Sequence, residues 1–315
     1  MKQSKRTPLV LAVLSFVGLW LWFSAPTEIT MIQTTTDTDI IALPSFGIAA
    51  SLIAAIAYFV MLAATAVSGW WVFKLNHKTP RWAVLTYGLA LVLTILVVLF
   101  AGKTMPITSL LQGSLSLAVP LIFGSLAGVL SERVGIVNIA IDSQLLAGAF
   151  VSAFVASISD NLYAGLLGAI IAGALVSWVL AVFSIKYIVD QIIVGVVLNV
   201  LIVGLTNFLF STLLADNIAA FNQPPRFEKI LVPLLGQIPV IGPVLFNQTL
   251  IVYLMYLAVA GVFVALFKTR WGLRVRAVGE YPKAADTVGI KVFQTRYISV
   301  MIGGALAGLG GSFFT

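Results

Sequence analysis

Long apolar runs separated by shorter polar segments dominate the chain. The runs lie at 8–23, 45–73, 82–101, 109–130, 135–158, 162–186, 191–214, 249–267 and 297–315. Each run is continuous rather than alternating, and most are long enough for the roughly 20 helical residues that cross a bilayer core of about 30 Å. A helix also satisfies its own backbone hydrogen bonds in lipid. The pattern therefore predicts an all-α, polytopic helical membrane protein with about nine spans.

The composition points to the same class of protein. Hydrophobic residues make up 60% of the chain and charged residues 9%, whereas soluble domains have about 45–50% and about 25%. The chain has no cysteine, and its single histidine, His77, lies in a basic segment between two runs. It also lacks the glycine-rich phosphate loop of ATP-hydrolysing proteins. We therefore expect no catalytic residue, no metal site and no cofactor.

The basic residues are distributed asymmetrically along the chain. If the N-terminus is cytoplasmic and the runs alternate, fifteen of the eighteen Lys and Arg residues fall on the cytoplasmic side. The three on the outer side are Lys103, Arg226 and Lys229. This asymmetry follows the positive-inside rule, so the net charge of +7 reports topology and does not indicate a nucleic acid partner. We expect a multi-pass protein of a bacterial cell membrane, with the lipid bilayer as its solvent.

The amino-acid composition of the chain changes near residue 105. Residues 1–104 contain three runs and no motif that we connect to chemistry, so we predict an N-terminal extension with three transmembrane helices. A second domain is predicted at 105–315, where small residues and amides are frequent. Its proline-containing segment 215–248 suits either an external lid or a plain connector. Gly304 and Gly308 have the four-residue spacing of closely packed helices.

A long polar stretch, KTRWGLRVRAVGEYPKAADTVGIKVFQTR, separates the last two runs at 268–296. Pro282 suits the first turn of a helix, because its missing N–H is not needed there. Ala284 and Ala285 favour helix, and Gly289 suits the left-handed position that closes one. The predicted helix has about two turns and is too short to be stable alone. It either docks on a partner or belongs to a basic loop resting on anionic lipid.

Three polar residues within the apolar runs are candidates for a substrate path. An ionisable group inside a span costs about 2.5–3.5 kcal/mol on insertion scales. Asn138 and Asp142 are four residues apart, so on a continuous helix they would share one face at membrane depth. Asn199 lies near the middle of the run at 191–214. The alternative is that these residues form internal hydrogen bonds that hold helices together.

Two stretches resemble the permeases of ABC importers, in the branch that imports nucleosides and simple sugars. WGLRVRAVGEYPKAADTVGI at 271–290 is similar to the cytoplasmic coupling loop of that family, which inserts into a cleft of the ATPase. PLIFGSLAGVLSERVGIVNIAIDSQLLA at 120–147 is similar to the segment around its Glu-Arg and Asn motif. The resemblance covers roughly 105–315 and extends to the branched-chain amino acid and ribose permeases.

The resemblance implies a permease subunit that is not itself an enzyme, with nucleosides as the preferred substrate class and simple sugars second. It also implies three protein partners, namely a cytoplasmic ABC ATPase, a second permease subunit and an extracellular substrate-binding protein. The residues that would couple the permease to the ATPase are Arg276, Gly279, Glu280, Pro282, Ala284, Ala285 and Gly289.

The chain departs from that family in two places. Asp142-Ser143 stands where the family often has glutamate followed by glycine. The family usually continues for several more helices, so we expect a chain ending at Thr315 to be a partial one. From the residues alone, two other classes stay open: a secondary transporter or channel that uses Asp142 as a proton or cation site, and a membrane scaffold with no transport path.

Overall fold

The computed structural model describes residues 6–35, 43–215, 221 and 223–315. Its α-helices are α1 (Arg6–Phe23), α2 (Ala50–Phe73), α3 (Arg81–Leu99), α4 (Ile107–Glu132), α5 (Ile141–Ser159), α6 (Leu162–Ala181), α7 (Gln191–Leu209), α8 (Leu250–Lys268), α9 (Arg270–Glu280), α10 (Pro282–Thr287) and α11 (Val292–Gly311). Within these described ranges, nine helices are long and apolar enough to cross a membrane. The predicted polytopic helical fold is confirmed.

Short strands occur between the helices. They are β1 (Ile29–Gln33), β2 (Phe46–Ala49), β3 (Thr104–Pro106), β4 (Lys229–Leu231) and β5 (Asn247–Thr249). β1 pairs antiparallel with β2 and parallel with β3, and β4 pairs antiparallel with β5. None of these strands was predicted from the sequence, because a strand of three to five residues has too few positions to show an alternation of apolar and polar residues.

The backbone contacts divide the chain into two compact units. The first contains residues 1–112 and 233–245, and the second contains 113–232 and 246–315. In the first unit, α1, α2 and α3 pack together around the buried side chains of Leu11, Met61 and Tyr87. The candidate functional residues all lie in the second unit.

The centre of the second unit is a close packing of α5, α6 and α11. A Cβ atom on Gly308 would overlap the backbone oxygen of Ala169, and one on Gly148 would overlap the backbone of Gly308. A Cβ atom on Gly173 would overlap the backbone oxygen of Gly304. The absence of side chains at these positions lets the three helix backbones approach each other. The close packing predicted at Gly304 and Gly308 is confirmed.

The chain between α4 and α5 is not helical. Gly135 adopts φ +78°, and the N–H of Ile136 donates to the carbonyl oxygen of Ser131 at 3.0 Å, which closes α4 with a left-handed glycine cap. Helix α5 begins only at Ile141. The continuous helix predicted from residue 135 was therefore wrong, because a glycine cap intervenes where the sequence is still apolar.

Candidate functional site

A groove of about 490 Å³ lies between one face of α4 and the beginning of α5. The α4 residues that line it recur at 120, 121, 124, 125, 128, 129 and 132, which is the spacing of one helix face. Its polar lining residues are Ser125, Glu132, Asn138 and Asp142. The groove therefore brings Asn138 and Asp142 together, as the sequence predicted. The shared helix face predicted for them was wrong, because Asn138 precedes α5.

Asn138 is mostly engaged in internal hydrogen bonds. Its side chain is 6% exposed, and it forms a reciprocal amide pair with the buried Gln144, with both N···O distances 3.2 Å. Its Oδ1 also accepts from the N–H of Ala140 at 3.1 Å, which holds the non-helical segment in a tight turn. The amide partner of Asn138 is thus Gln144, which was not predicted from the sequence to belong to the site.

Asp142 occupies the second position of α5 and is exposed. At the N-terminus of a helix, a carboxylate is stabilised by the helix dipole. Among the described residues no Lys or Arg forms an ion pair with Asp142, so its oxygens face the groove without a cationic partner. The continuous helix from which Asp142 was predicted to lie at membrane depth does not form, because residues 133–140 are not helical.

From α7, Asn199 bonds to the backbone on both sides of the junction between the non-helical segment and α5. Its Oδ1 accepts from the N–H of Ser143 at 3.1 Å, and its Nδ2 donates to the carbonyl oxygen of Ile139 at 3.0 Å. Two turns earlier on α7, Gln191 Oε1 accepts from the N–H of Val137 at 2.6 Å. In a membrane protein, non-helical backbone needs such partners wherever water does not reach it, because lipid offers none. Asn199 therefore acts as a clamp and does not line the groove.

Gly195 lies between these two amides at the same four-residue spacing. A Cβ atom there would lie 2.9 Å from the Cβ of Ile139, so the glycine lets α7 approach the non-helical segment closely. Gln191, Gly195 and Asn199 form one face of the helix. This amide–glycine–amide spacing is the sequence signal that could have identified the clamp.

Helices α9 and α10 form a polar hairpin, defined here as residues 270–290. Pro282 begins α10, and Gly289 ends it with φ +83°. The N–H of Ile290 donates to the carbonyl oxygen of Ala285 at 3.0 Å, and that of Gly289 donates to Asp286 at 2.9 Å, which is the closure expected of a glycine cap. The predicted short helix with Pro282 and Gly289 at its ends is confirmed, whereas α9 was not predicted as a helix.

The hairpin has a buried side and an exposed side. Val275, Val278 and Ala285 belong to a buried apolar cluster that also contains Leu130 and Val134. Ala285 is only 4% exposed, whereas Tyr281 is 60% exposed. The predicted coupling residues on the exposed side are Glu280, Ala284 and Gly289. The half-buried or buried ones are Arg276, Gly279, Pro282 and Ala285.

The buried side of the hairpin rests on the turn that follows α4. A Cβ atom on Gly279 would overlap the carbonyl oxygen of Arg133, so backbone meets backbone at this contact. Next to it, Arg296 Nε of α11 donates to the carbonyl oxygen of Val134 at 3.2 Å. The Arg276 guanidinium lies 5.6 Å from the ring centre of Phe267, which also packs against Arg133. The hairpin thus contacts the turn that leads into the non-helical segment.

These features define the class of the protein. It is a polytopic membrane protein in which a non-helical segment lies beside a groove, and a polar hairpin packs against the turn that precedes this segment. Comparison with known families identifies the class further. Residues 109–315 match the family described as the branched-chain amino acid transport system, permease component, and the chain belongs to this family. The family resemblance predicted from the sequence is confirmed.

Several curated proteins are similar to the chain. It is 40% identical over 219 residues to the guanosine ABC transporter permease protein NupQ of Bacillus subtilis, covering 65% of this chain and 66% of that protein. It is 38% identical over 203 residues to the nucleoside ABC transporter permease protein NupC of Lactococcus lactis, covering 62% and 63%. It is 32% identical over 205 residues to the glucose ABC transporter permease protein TsgB13 of Haloferax volcanii, covering 62% and 53%.

The matches span just under two thirds of the first two of these relatives and about half of the third. No solved structure matches the chain. The family and the apolar helices together make the chain a multi-pass membrane protein of the cell membrane that belongs to this permease family.

Proposed function

We propose that the chain is the permease subunit of an ATP-driven ABC importer of nucleosides, with simple sugars as the second substrate class. One observation carries the proposal: the polar hairpin 270–290 rests on the turn at 133–135, which leads directly into the segment that holds Asn138 and Asp142. A partner that moves the hairpin would therefore move one wall of the groove. The names of the relatives support the two substrate classes.

Three partners complete this proposal. A cytoplasmic ATPase would bind the exposed side of α10, where Tyr281, Lys283 and Ala284 face outward. An extracellular binding protein would deliver the substrate, and a second permease subunit would form the other half of the path. ATP hydrolysis would then take place on the separate ATPase, and the N-terminus of this chain would be cytoplasmic.

The chemistry of the groove suits a neutral solute with several hydroxyl groups. Glu132 and Asp142 supply carboxylate oxygens, which only accept hydrogen bonds when they are ionised. Nucleosides and sugars both present hydroxyl donors, and the apolar residues Leu121 and Ile141 can contact a ring. A competing hypothesis is a secondary transporter or channel, since the exposed Asp142 could also take up a proton or a cation.

Substitutions of Asp142 separate these two hypotheses. For a substrate contact, Asp142→Asn should lower nucleoside uptake by about ten-fold or less, because an amide still forms hydrogen bonds. Asp142→Leu should lower it by roughly ten- to a hundred-fold, because a polar partner left unpaired costs about 1–3 kcal/mol. Uptake is measured at several pH values and normalised to protein in the membrane. Asp160→Asn, at the other end of α5, is the control and should leave uptake unchanged.

The opposite pattern would support the secondary transporter. If Asp142 takes up a proton, both substitutions abolish accumulation, and uptake by the parent protein depends strongly on pH. Near-normal uptake in both variants would remove Asp142 from the site.

A charge on the exposed side of α10 should uncouple the permease. Ala284 is exposed, so Ala284→Glu should reduce ATPase co-purification and substrate uptake by roughly ten-fold or more while the protein still inserts. Ala285 is unsuitable for this test, because it is buried and a charge there would disrupt the hairpin. Ala215→Glu, at an exposed alanine beyond the far end of α7, is the control. Normal ATPase binding by Ala284→Glu would contradict the proposed docking surface.

The orientation can be tested with single cysteines, because the chain has none. Asn222, in the proline-containing segment, is predicted to be external but lies outside the described residues. The cysteine is therefore placed at the exposed Gln223 beside it. In intact cells, Gln223→Cys should react with a membrane-impermeant thiol reagent, and Lys283→Cys should react only after the membrane is permeabilised. Labelling in the reverse pattern would refute the cytoplasmic N-terminus.

A further inference from the structure

A second groove, of about 750 Å³, lies between α9 and the beginning of α11. Its charged lining residues are Arg270, Arg274 and Lys291, and no acidic residue lines it. None of these three cations forms an ion pair with a carboxylate within the part of the chain that the structure describes. The groove therefore carries an uncompensated positive charge.

Beyond the polar residues Lys291, Gln294 and Thr295, the groove continues along α11 as an apolar stripe of two isoleucines, Ile298 and Ile302. Its lining residues at 291, 294, 295 and 298 recur every three or four positions, so they form one face of the helix. Ile302, one further turn along the same face, is also exposed. Arg270 and Arg274 are one turn apart on α9, beside the end of α8. The cations thus lie at the ends of two candidate spans, and the apolar stripe runs into one of them.

We propose that this groove binds an anionic phospholipid of the adjacent membrane leaflet. The lipid phosphate lies among Arg270, Arg274 and Lys291, and one acyl chain lies along Ile298 and Ile302. Guanidinium groups bind phosphate through two parallel hydrogen bonds, and cations close to a membrane surface attract anionic lipid. The acyl chain covers isoleucine side chains that face outward on the spanning helix.

The apolar stripe favours a lipid over a soluble protein as the occupant. Ile298 and Ile302 lie within the candidate span Val292–Phe314, at a depth that a soluble ATPase does not reach. The proposed ATPase surface is centred on Lys283 and Ala284 of α10, neither of which lines the groove, although the predicted coupling residue Gly289 lies at its edge. The lipid site therefore does not depend on the transport function, and either proposal can fail without the other.

Trp271 lines the groove and provides a reporter for the test. The full chain is reconstituted in phosphatidylcholine vesicles that contain either dibrominated phosphatidylglycerol or dibrominated phosphatidylcholine, both of which quench tryptophan on contact. The difference in quenching between the natural chain and Trp271→Phe gives the signal of this residue alone. We expect half-maximal quenching of Trp271 at a roughly ten-fold lower fraction of the brominated glycerol lipid than of the brominated choline lipid.

Two variants with equal loss of charge locate the site. The triple substitution Arg270→Gln, Arg274→Gln and Lys291→Gln should bring the two lipids to within about two-fold of each other. The matched control replaces Lys186, Lys268 and Lys283 by glutamine and should keep the preference, because these residues do not line the groove.

Three results would overturn the proposal. Equal quenching of the natural chain by both lipids would do so even if the triple variant failed to fold. Loss of the preference in millimolar inorganic phosphate would show that the cations bind a free anion. Loss of ATPase co-purification in the triple variant, with the lipid preference unchanged, would make the groove part of a protein interface.

Discussion

Asn199→Leu is expected to reduce transport by about a hundred-fold or more and to destabilise the second unit. Leucine has the same branched shape and number of non-hydrogen side-chain atoms as asparagine, but it cannot bond to the N–H of Ser143 or to the carbonyl oxygen of Ile139. Each unpaired group in a water-free environment costs about 1–3 kcal/mol, so together they cost about 2–6 kcal/mol. The non-helical segment then loses its position beside the groove. Uptake per inserted protein and the thermal midpoint in detergent measure the two effects.

Asn207→Leu is the matched control for this prediction. Asn207 lies two turns further along the same helix with an exposed side chain, so the same chemical change should leave uptake nearly unchanged. Asn199→Asp tests the role of the donor, because a carboxylate still accepts from Ser143 and cannot donate to Ile139. If Asn199→Leu transports as well as Asn207→Leu, the clamp has no functional role.

Gly279→Ala is expected to reduce coupled transport strongly even though alanine favours helix. At an open helical position this exchange stabilises a protein by about 1 kcal/mol. Here the added Cβ meets the carbonyl oxygen of Arg133, so the hairpin has to shift away from the turn after α4. We expect uptake to fall by roughly ten- to a hundred-fold, because overpacking at a rigid contact costs about 1–3 kcal/mol. Uptake and ATPase stimulation by substrate are measured in proteoliposomes.

Gly261→Ala on α8 is the control, since a Cβ atom there has nothing within 4 Å. This variant should insert, bind the ATPase and transport at the parent rate. If substrate still stimulates the ATPase bound to the Gly279→Ala protein, and uptake is normal, the contact with Arg133 does not carry the coupling.

The spanning helices could be predicted because each one needs a long uninterrupted apolar run. The run at 249–267, for example, corresponds to Leu250–Lys268 in the structure. The beginning of α5 could not be found in this way, because GIVNIA at 135–140 is as apolar as the helices around it. The glycine cap at Gly135 ends α4, and the residues after it are held by hydrogen bonds of Val137 with Gln191 and of Ile139 with Asn199, more than fifty residues away. Such non-local bonds leave no periodic pattern within the segment 135–140 itself.

The candidate site was predicted in part. Asn138 and Asp142 do line one groove, but they meet across a break and not along one helix. Asn199 was placed in a substrate path, whereas its side chain bonds to the backbone of residues 139 and 143. Gly279 was included only through the family resemblance, because the need for a glycine there is visible only once Arg133 is placed against it.

The contact between Gly279 and Arg133 also affects how stiff the connection is between hairpin and groove. Where two side chains meet, a small displacement can be absorbed by a change of rotamer on either side. Two backbones in contact have no rotamers through which a displacement could be absorbed. A movement of the hairpin by a fraction of an ångström is therefore passed to the turn at 133–135 instead of being lost in local rearrangement. Because Gly279 has no side chain, the contact between the hairpin and the turn at 133–135 is rigid.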